Sequence, residues 1–148
     1  MATYRFTVEA KAPPDVVFDL WTTLDRMPEW VGGVTRVTDV TGPVDVAGTR
    51  YTVWFGRMKS PTEVVAAERP RHFRSRFGNW LLRGETDTTF EAVDVGTRIT
   101  ETFHTIGVIP AIAAWVFSRG SYRGSFEGEL RRFAMLAERE VADRPTGR

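Results

Sequence analysis

A chain of 148 residues is the usual size of one domain and can bury a substantial core. Hydrophobic residues make up 42% and charged ones 26%, and the formal charge is only +1 with the arginines dispersed, so the basic excess of a backbone-driven nucleic-acid binder is missing. Without cysteine there is no disulfide framework, thiolate metal site or thiol nucleophile. The polar, alternating start MATYRFTVEA lacks the character of a signal peptide, and the longest apolar run, VIPAIAAWVF, is too short to span a bilayer. These features predict a single domain over residues 1–148, cytoplasmic, without a nucleic-acid partner or stable membrane insertion.

TYRFTVEA alternates with period two through Tyr4, Phe6 and Val8 and predicts a first strand. KAPPDVVFDLWTTL then opens on prolines, carries Asp15 in its first turn and sets Val17, Leu20, Trp21 and Leu24 on one face, the pattern of a short helix. DRMPEWVGG holds at most another turn or two of helix before its glycines end it. From Val34 to Ile106 the chain is a series of strand-like runs, VTRVTDV, TRYTVWFGRM, PTEVVAAE, RHFRSRFGNW, LLRGETDTTFEAV and TRITETFHTI. The punctuation is TGPVDVAG, KSP, ERP and DVG. Links this short favour an antiparallel meander over parallel crossovers. Pro110 to Glu140 reads as one long helix with Ile112, Trp115, Tyr122, Phe126, Leu130, Phe133 and Ala137 on one face. A half-covered antiparallel sheet and one amphipathic helix to lie across it make an α+β fold.

No G-x-S-x-G, H-E-x-x-H, Walker A or strand-following G-x-G-x-x-G occurs. His72 and His104 share the polar phase of their strands with Arg74, Arg76, Arg98 and Thr102, which places them at the solvated surface; neither a metal site nor a cofactor is expected. Residues in phase with the large apolar ones form the inner face: Tyr51, Val53 and Phe55; Phe73, Ser75 and Phe77; Thr86, Thr88 and Phe90; Ile99, Glu101, Phe103 and Thr105. The hydroxyls among these aromatics are either orienting contacts for a ligand or good strand formers near a sheet edge.

Glu101, in GTRITETFHTIG, is a carboxylate in the apolar phase between Ile99 and Phe103. A short hairpin loop over AVDVGT sets Thr88 directly opposite it, within reach of a hydroxyl-to-carboxylate hydrogen bond. Five residues of strand are about 16 Å, which a returning helix recovers in about eleven residues, so Arg119 to Tyr122 fall beside Glu101. Three roles are open: a structural ion pair or hydrogen bond, a ligand-facing acid or base, or a bulge that turns the carboxylate to solvent. The unbroken alternation from Arg98 to Thr105 speaks against the bulge. In the helix, Gly120, Gly124 and Gly128 recur every four residues opposite Trp115, Phe126 and Phe133. They mark a weak or kinked stretch, a lid that admits ligand, or, with Phe117 and Met135, a dimer contact.

The order of elements, together with APPDVVFDLWTTLDRMPEWVGGV, VAGTRYTV, ERPRHFRSRF and GTRITETF, resembles the START-like, helix-grip superfamily. That superfamily includes polyketide cyclases and dehydratases, bacterial lipid-transport relatives and Bet v 1-like proteins. The resemblance spans nearly the whole chain and specifies a fold far better than a reaction. It implies a curved antiparallel sheet of about seven strands wrapped round a long C-terminal helix, with two short helices after the first strand. Between sheet and helix it implies a deep cavity for a hydrophobic or aromatic small molecule, polyketide-like or lipid-like, lined by the inner-face residues above with Trp115 and Phe126. Two classes of function follow. A carrier or sensor would bind its ligand by burial. A cyclase or dehydratase would use Glu101 as general acid or base, with Tyr122, Tyr51 or Arg119 orienting or stabilising an enolate oxygen. One inward carboxylate with no inward histidine or second acid is a thin catalytic set, which favours binding. Monomer and homodimer are both compatible with the sequence.

Overall fold

The computed structural model describes residues 3–78, 83–105 and 122–143, with side chains in the last segment from residue 127 onward. Strand β1 (Thr3–Ala10) is followed by helix α1 (Pro14–Trp21) and a 3₁₀ helix (Leu24–Glu29). Six more strands come next: β2 (Arg36–Thr38), β3 (Arg50–Phe55), β4 (Met58–Glu68), β5 (His72–Gly78), β6 (Arg83–Val93) and β7 (Gly96–Thr105). Helix α2 (Tyr122–Asp143) closes the described chain. The strands form one antiparallel sheet in the order β1-β7-β6-β5-β4-β3-β2, a meander from β2 to β7 to which β1 returns at the far side. This is the helix-grip architecture, a curved sheet with a C-terminal helix and two short helices after the first strand.

Local chemistry accounts for the element ends. Pro13 caps α1 in an extended conformation, Pro14 supplies a pre-set φ at the first helical position, and Asp15 complements the positive end of the helix. At the other end the Thr22 hydroxyl donates to the Phe18 carbonyl at 2.9 Å. α1 buries Val16, Val17, Phe18, Leu20 and Trp21. Phe18 meets Phe90 edge-on at 5.6 Å between centroids and Phe73 at 6.4 Å, while Trp21 meets Phe133 of α2 at 4.9 Å. Helix α2 packs on β1 and α1 through Leu130, Phe133, Ala134, Leu136 and Ala137. Polar ties fix it to the N-terminal half: the Lys11 N–H donates to Glu138 at 3.0 Å, and Arg26 pairs with Glu140.

Three expectations need correcting. KSP is not a turn, and TRYTVWFGRM is not one strand: the chain reverses at Gly56–Arg57, with Gly56 at φ +66°, and β4 already begins at Met58. Pro61 fits inside β4 because it pairs only with Thr52 of β3, one residue before the β5 register starts at Thr62, so its missing N–H breaks no rung on that side. VTRVTDV shrinks to three paired residues, since Asp39 takes a positive φ of 58° and leads the chain away from β3. Among the described residues, no helix is long and apolar enough to cross a membrane.

Candidate functional site

A cavity of about 220 Å³ lies between the sheet and the helices. Parity places most of its wall. Tyr51, Val53 and Phe55 of β3, Phe73, Ser75 and Phe77 of β5, Thr86 of β6 and Glu101 of β7 all line it, as their phase predicts. The rest lies outside the inner-face series set out from the sequence: Trp21 of α1, Met27, Trp30 and Val31 in and after the 3₁₀ helix, Ser60 and Thr62 of β4, and Glu129 of α2.

Other inner-face residues lie beside the cavity and do not line it. Phe90 is packed against Phe18 and Trp21, Phe103 stacks on Phe77 at 5.5 Å, and Ile99, Thr88 and Thr105 are fully buried. Arg119 and Trp115, and the side chains of Tyr122 and Phe126, lie outside the described residues, as do Phe117 and Gly120. His72 and His104 are half-buried and not freely solvated: His72 Nε2 is 2.7 Å from Asp87 and His104 Nδ1 is 3.0 Å from the Thr3 hydroxyl.

Glu101 is buried and the alternation around it is intact, so it faces the interior without a bulge. Thr88 stands opposite it in the ladder, yet the Thr88 hydroxyl has no hydrogen-bond partner, so the expected bond between them is not formed. Parity fixes which face a side chain takes; it does not fix the rotamer that would aim one polar atom at another. No hydrogen bond or ion pair reaches the Glu101 carboxyl from the described residues. Burial, and then the nearby negative charge of Glu129, push its pKa up to about 8.

Glu129 is the second carboxyl of the cavity, and strand-based reasoning missed it. Burial raises its pKa to about 7, against the lowering effects of the Gly32 N–H, which donates to it at 3.0 Å, and of the Arg132 guanidinium. A signal was present in the sequence. Glu129 stands four residues before Phe133 and three after Phe126, hence on the apolar side of α2 despite its charge.

The remaining polar lining is neutral. Ser75 and Thr86 share a cross-strand hydrogen bond of 2.9 Å, and Thr62 donates to the Ser60 carbonyl at 3.2 Å. Burial raises the Tyr51 phenol above its ordinary range. The indole N–H of Trp30 is buried with no partner. Among the described lining residues there is no lysine, arginine or histidine. Near neutral pH such a site offers an apolar, aromatic volume and two carboxyl groups able to hold or release a proton.

No curated protein matches the sequence. Solved structures with the same fold include protein MLL2253 from Mesorhizobium loti, 14% identical, TM-score 0.75, covering 93% of this chain and 98% of that one. They also include Ara h 8.0201, a Bet v 1-like structure, 15% identical, TM-score 0.65, covering 92% and 97% respectively. A third is DynU16, a protein in the dynemicin biosynthetic locus, 19% identical, TM-score 0.69, covering 92% of this chain and 47% of that one. The family described as polyketide cyclase / dehydrase and lipid transport matches residues 1–138, and the chain belongs to that family.

Proposed function

We propose that the protein binds a hydrophobic or aromatic small molecule, at the polyketide-like or lipid-like end of natural chemistry, inside the cavity between sheet and helix. The observation that carries this is the wall itself: Trp21, Trp30, Tyr51, Phe55, Phe73 and Phe77 line one space with a few hydroxyl and carboxyl groups set among them. A volume of about 220 Å³ lies below the roughly 300–1,000 Å³ of drug-sized ligand sites. It is the room of about seven water molecules at about 30 Å³ each. A molecule of one or two rings matches that volume.

A second reading, catalysis of the cyclase or dehydratase kind, is favoured by one observation, the presence of Glu129 beside Glu101. A carboxyl that stays protonated near neutrality can donate to a leaving hydroxyl or an enolate oxygen, while a second, ionised carboxylate takes a proton from the adjacent carbon. Tyr51, with Arg119 and the Tyr122 side chain from outside what the structure describes, are the candidates for orienting the oxygen. In that reading Glu101→Gln abolishes turnover and leaves ligand binding within a few-fold.

The test of the primary reading is mass spectrometry of small molecules extracted from the purified native protein, with titration of the recovered compound against the fluorescence of Trp21 and Trp30. Saturable quenching that is lost in Phe73→Ala is expected. A compound that binds equally well to wild type and to a variant with the cavity filled, such as Ser75→Phe, would overturn the reading.

A further inference from the structure

We propose that the ligand carries a basic nitrogen: the cavity suits a one- or two-ring aromatic amine, held as its ammonium by the carboxylates of Glu101 and Glu129, and it rejects fatty acids and other carboxylates. This rests on the ligand-binding reading above and names the class of molecule bound.

Three observations converge. First, two different elements, β7 and α2, each place a carboxyl in the same small cavity. Glu129 has the Gly32 N–H and the influence of Arg132, but the described residues supply Glu101 with no counter-ion. Burying acids without partners costs stability, and such an arrangement is relieved by whatever positive group completes it. Second, the described lining contains no lysine, arginine or histidine. An anionic ligand would add a third negative charge beside two carboxyls, with no cationic side chain among the described lining residues to balance it. Third, the wall is rich in aromatic side chains, Trp21, Trp30, Phe55 and Phe73 among them, and aromatic rings attract a cation as well as stack on a ring. The buried Trp30 N–H, which lacks a partner, favours an acceptor atom elsewhere on the same molecule.

Among the described residues, the charged and titratable groups about the pair are few. Tyr51 of β3 lines the same cavity and burial keeps it neutral, Arg132 lies one turn beyond Glu129 on α2, and the loop after the 3₁₀ helix contributes only the Gly32 N–H. Raising the pH therefore ionises the two carboxyls and should strengthen amine binding.

The experiment uses the full chain and three probes matched in ring and size, 1-naphthylmethylamine, 1-naphthalenemethanol and 1-naphthoic acid, measured by calorimetry at pH 5 and pH 8. At pH 8 the amine should bind at least about tenfold tighter than the alcohol, and the acid should bind weakest. At pH 5, with both carboxyls protonated, the amine's advantage should fall to about threefold or less. Glu101→Gln and Glu129→Gln, each confirmed folded by its melting curve, should cut amine affinity about tenfold at pH 8 and leave the alcohol within about threefold. Equal binding of amine and alcohol, or tightest binding of the acid, would overturn the amine assignment and leave the cavity reading standing. Failure of all three probes to bind would overturn both.

Discussion

Glu101→Gln tests the electrostatics of the cavity through stability alone, before any ligand is known. The folded protein holds the Glu101 proton up to about 8, against 4.5 for an ordinary glutamate. The native state therefore binds one proton more than the unfolded chain throughout that window. Stability is full below about pH 4.5, declines as pH rises and levels off above about 8. At about 1.4 kcal/mol per pH unit the ceiling is on the order of 5 kcal/mol, and because Glu129 shares in the repulsion the loss assignable to Glu101 alone is a few kcal/mol. Glutamine keeps the shape and cannot ionise. Melting curves from pH 5 to 9 should show the wild type losing roughly 3 °C per kcal/mol, while the variant, in which only Glu129 of the pair still titrates, declines less steeply. At pH 5 the variant should melt at or slightly below the wild type, and above pH 8 several degrees higher. Parallel curves across that range would mean that Glu101 is already ionised or paired in the native state, and the argument from burial would fail.

Thr88→Val replaces a fully buried hydroxyl that has no partner with an isosteric methyl, so unfolding in denaturant should require about 1 kcal/mol more; a clear loss of stability would show that the hydroxyl is satisfied in solution. Phe133→Ala removes a fully buried ring that touches Trp21 at 4.9 Å and Trp30 at 4.8 Å, and should cost about 3–5 kcal/mol in the same assay. Gly96→Ala would set a methyl 2.1 Å from the Ala10 carbonyl at a φ of +150°, so little folded protein should be recovered from expression; normal yield with an unchanged circular dichroism spectrum would contradict the close approach of β1 to the β6–β7 hairpin.

The number of strands, their antiparallel order and the face each residue takes could be read from period two and short links, because those signals follow directly from the pleat and from how far a short loop reaches. Pro61 was misread because a proline signals a missing N–H without saying whether that N–H faces a neighbour. Phe90, Ile99 and Phe103 share a phase with Phe73 and Phe77, and only the packing of α1 and α2 decides which of them meet empty space. Glu129 was overlooked for a related reason. An amphipathic stripe is traced through apolar residues, so a charged residue within its arc drops out of the pattern even when geometry buries it.

The pairing of β1 with β7 has a consequence for how the chain is made. Thr3 meets a partner 101 positions later, and the ladder that holds Phe6 and Ala10 in the core does not exist until β7 has left the ribosome. At about 5–20 residues per second that is a wait of roughly 5–20 seconds, during which the apolar side of TYRFTVEA has only water or other nascent chains to meet. Arg5 and Glu9, alternating with those apolar residues, discourage premature strand pairing over that interval. Once β7 arrives, Glu9 takes up Arg98 at 3.1 Å, so a residue that first keeps a waiting segment apart from its neighbours ends by fastening it in place.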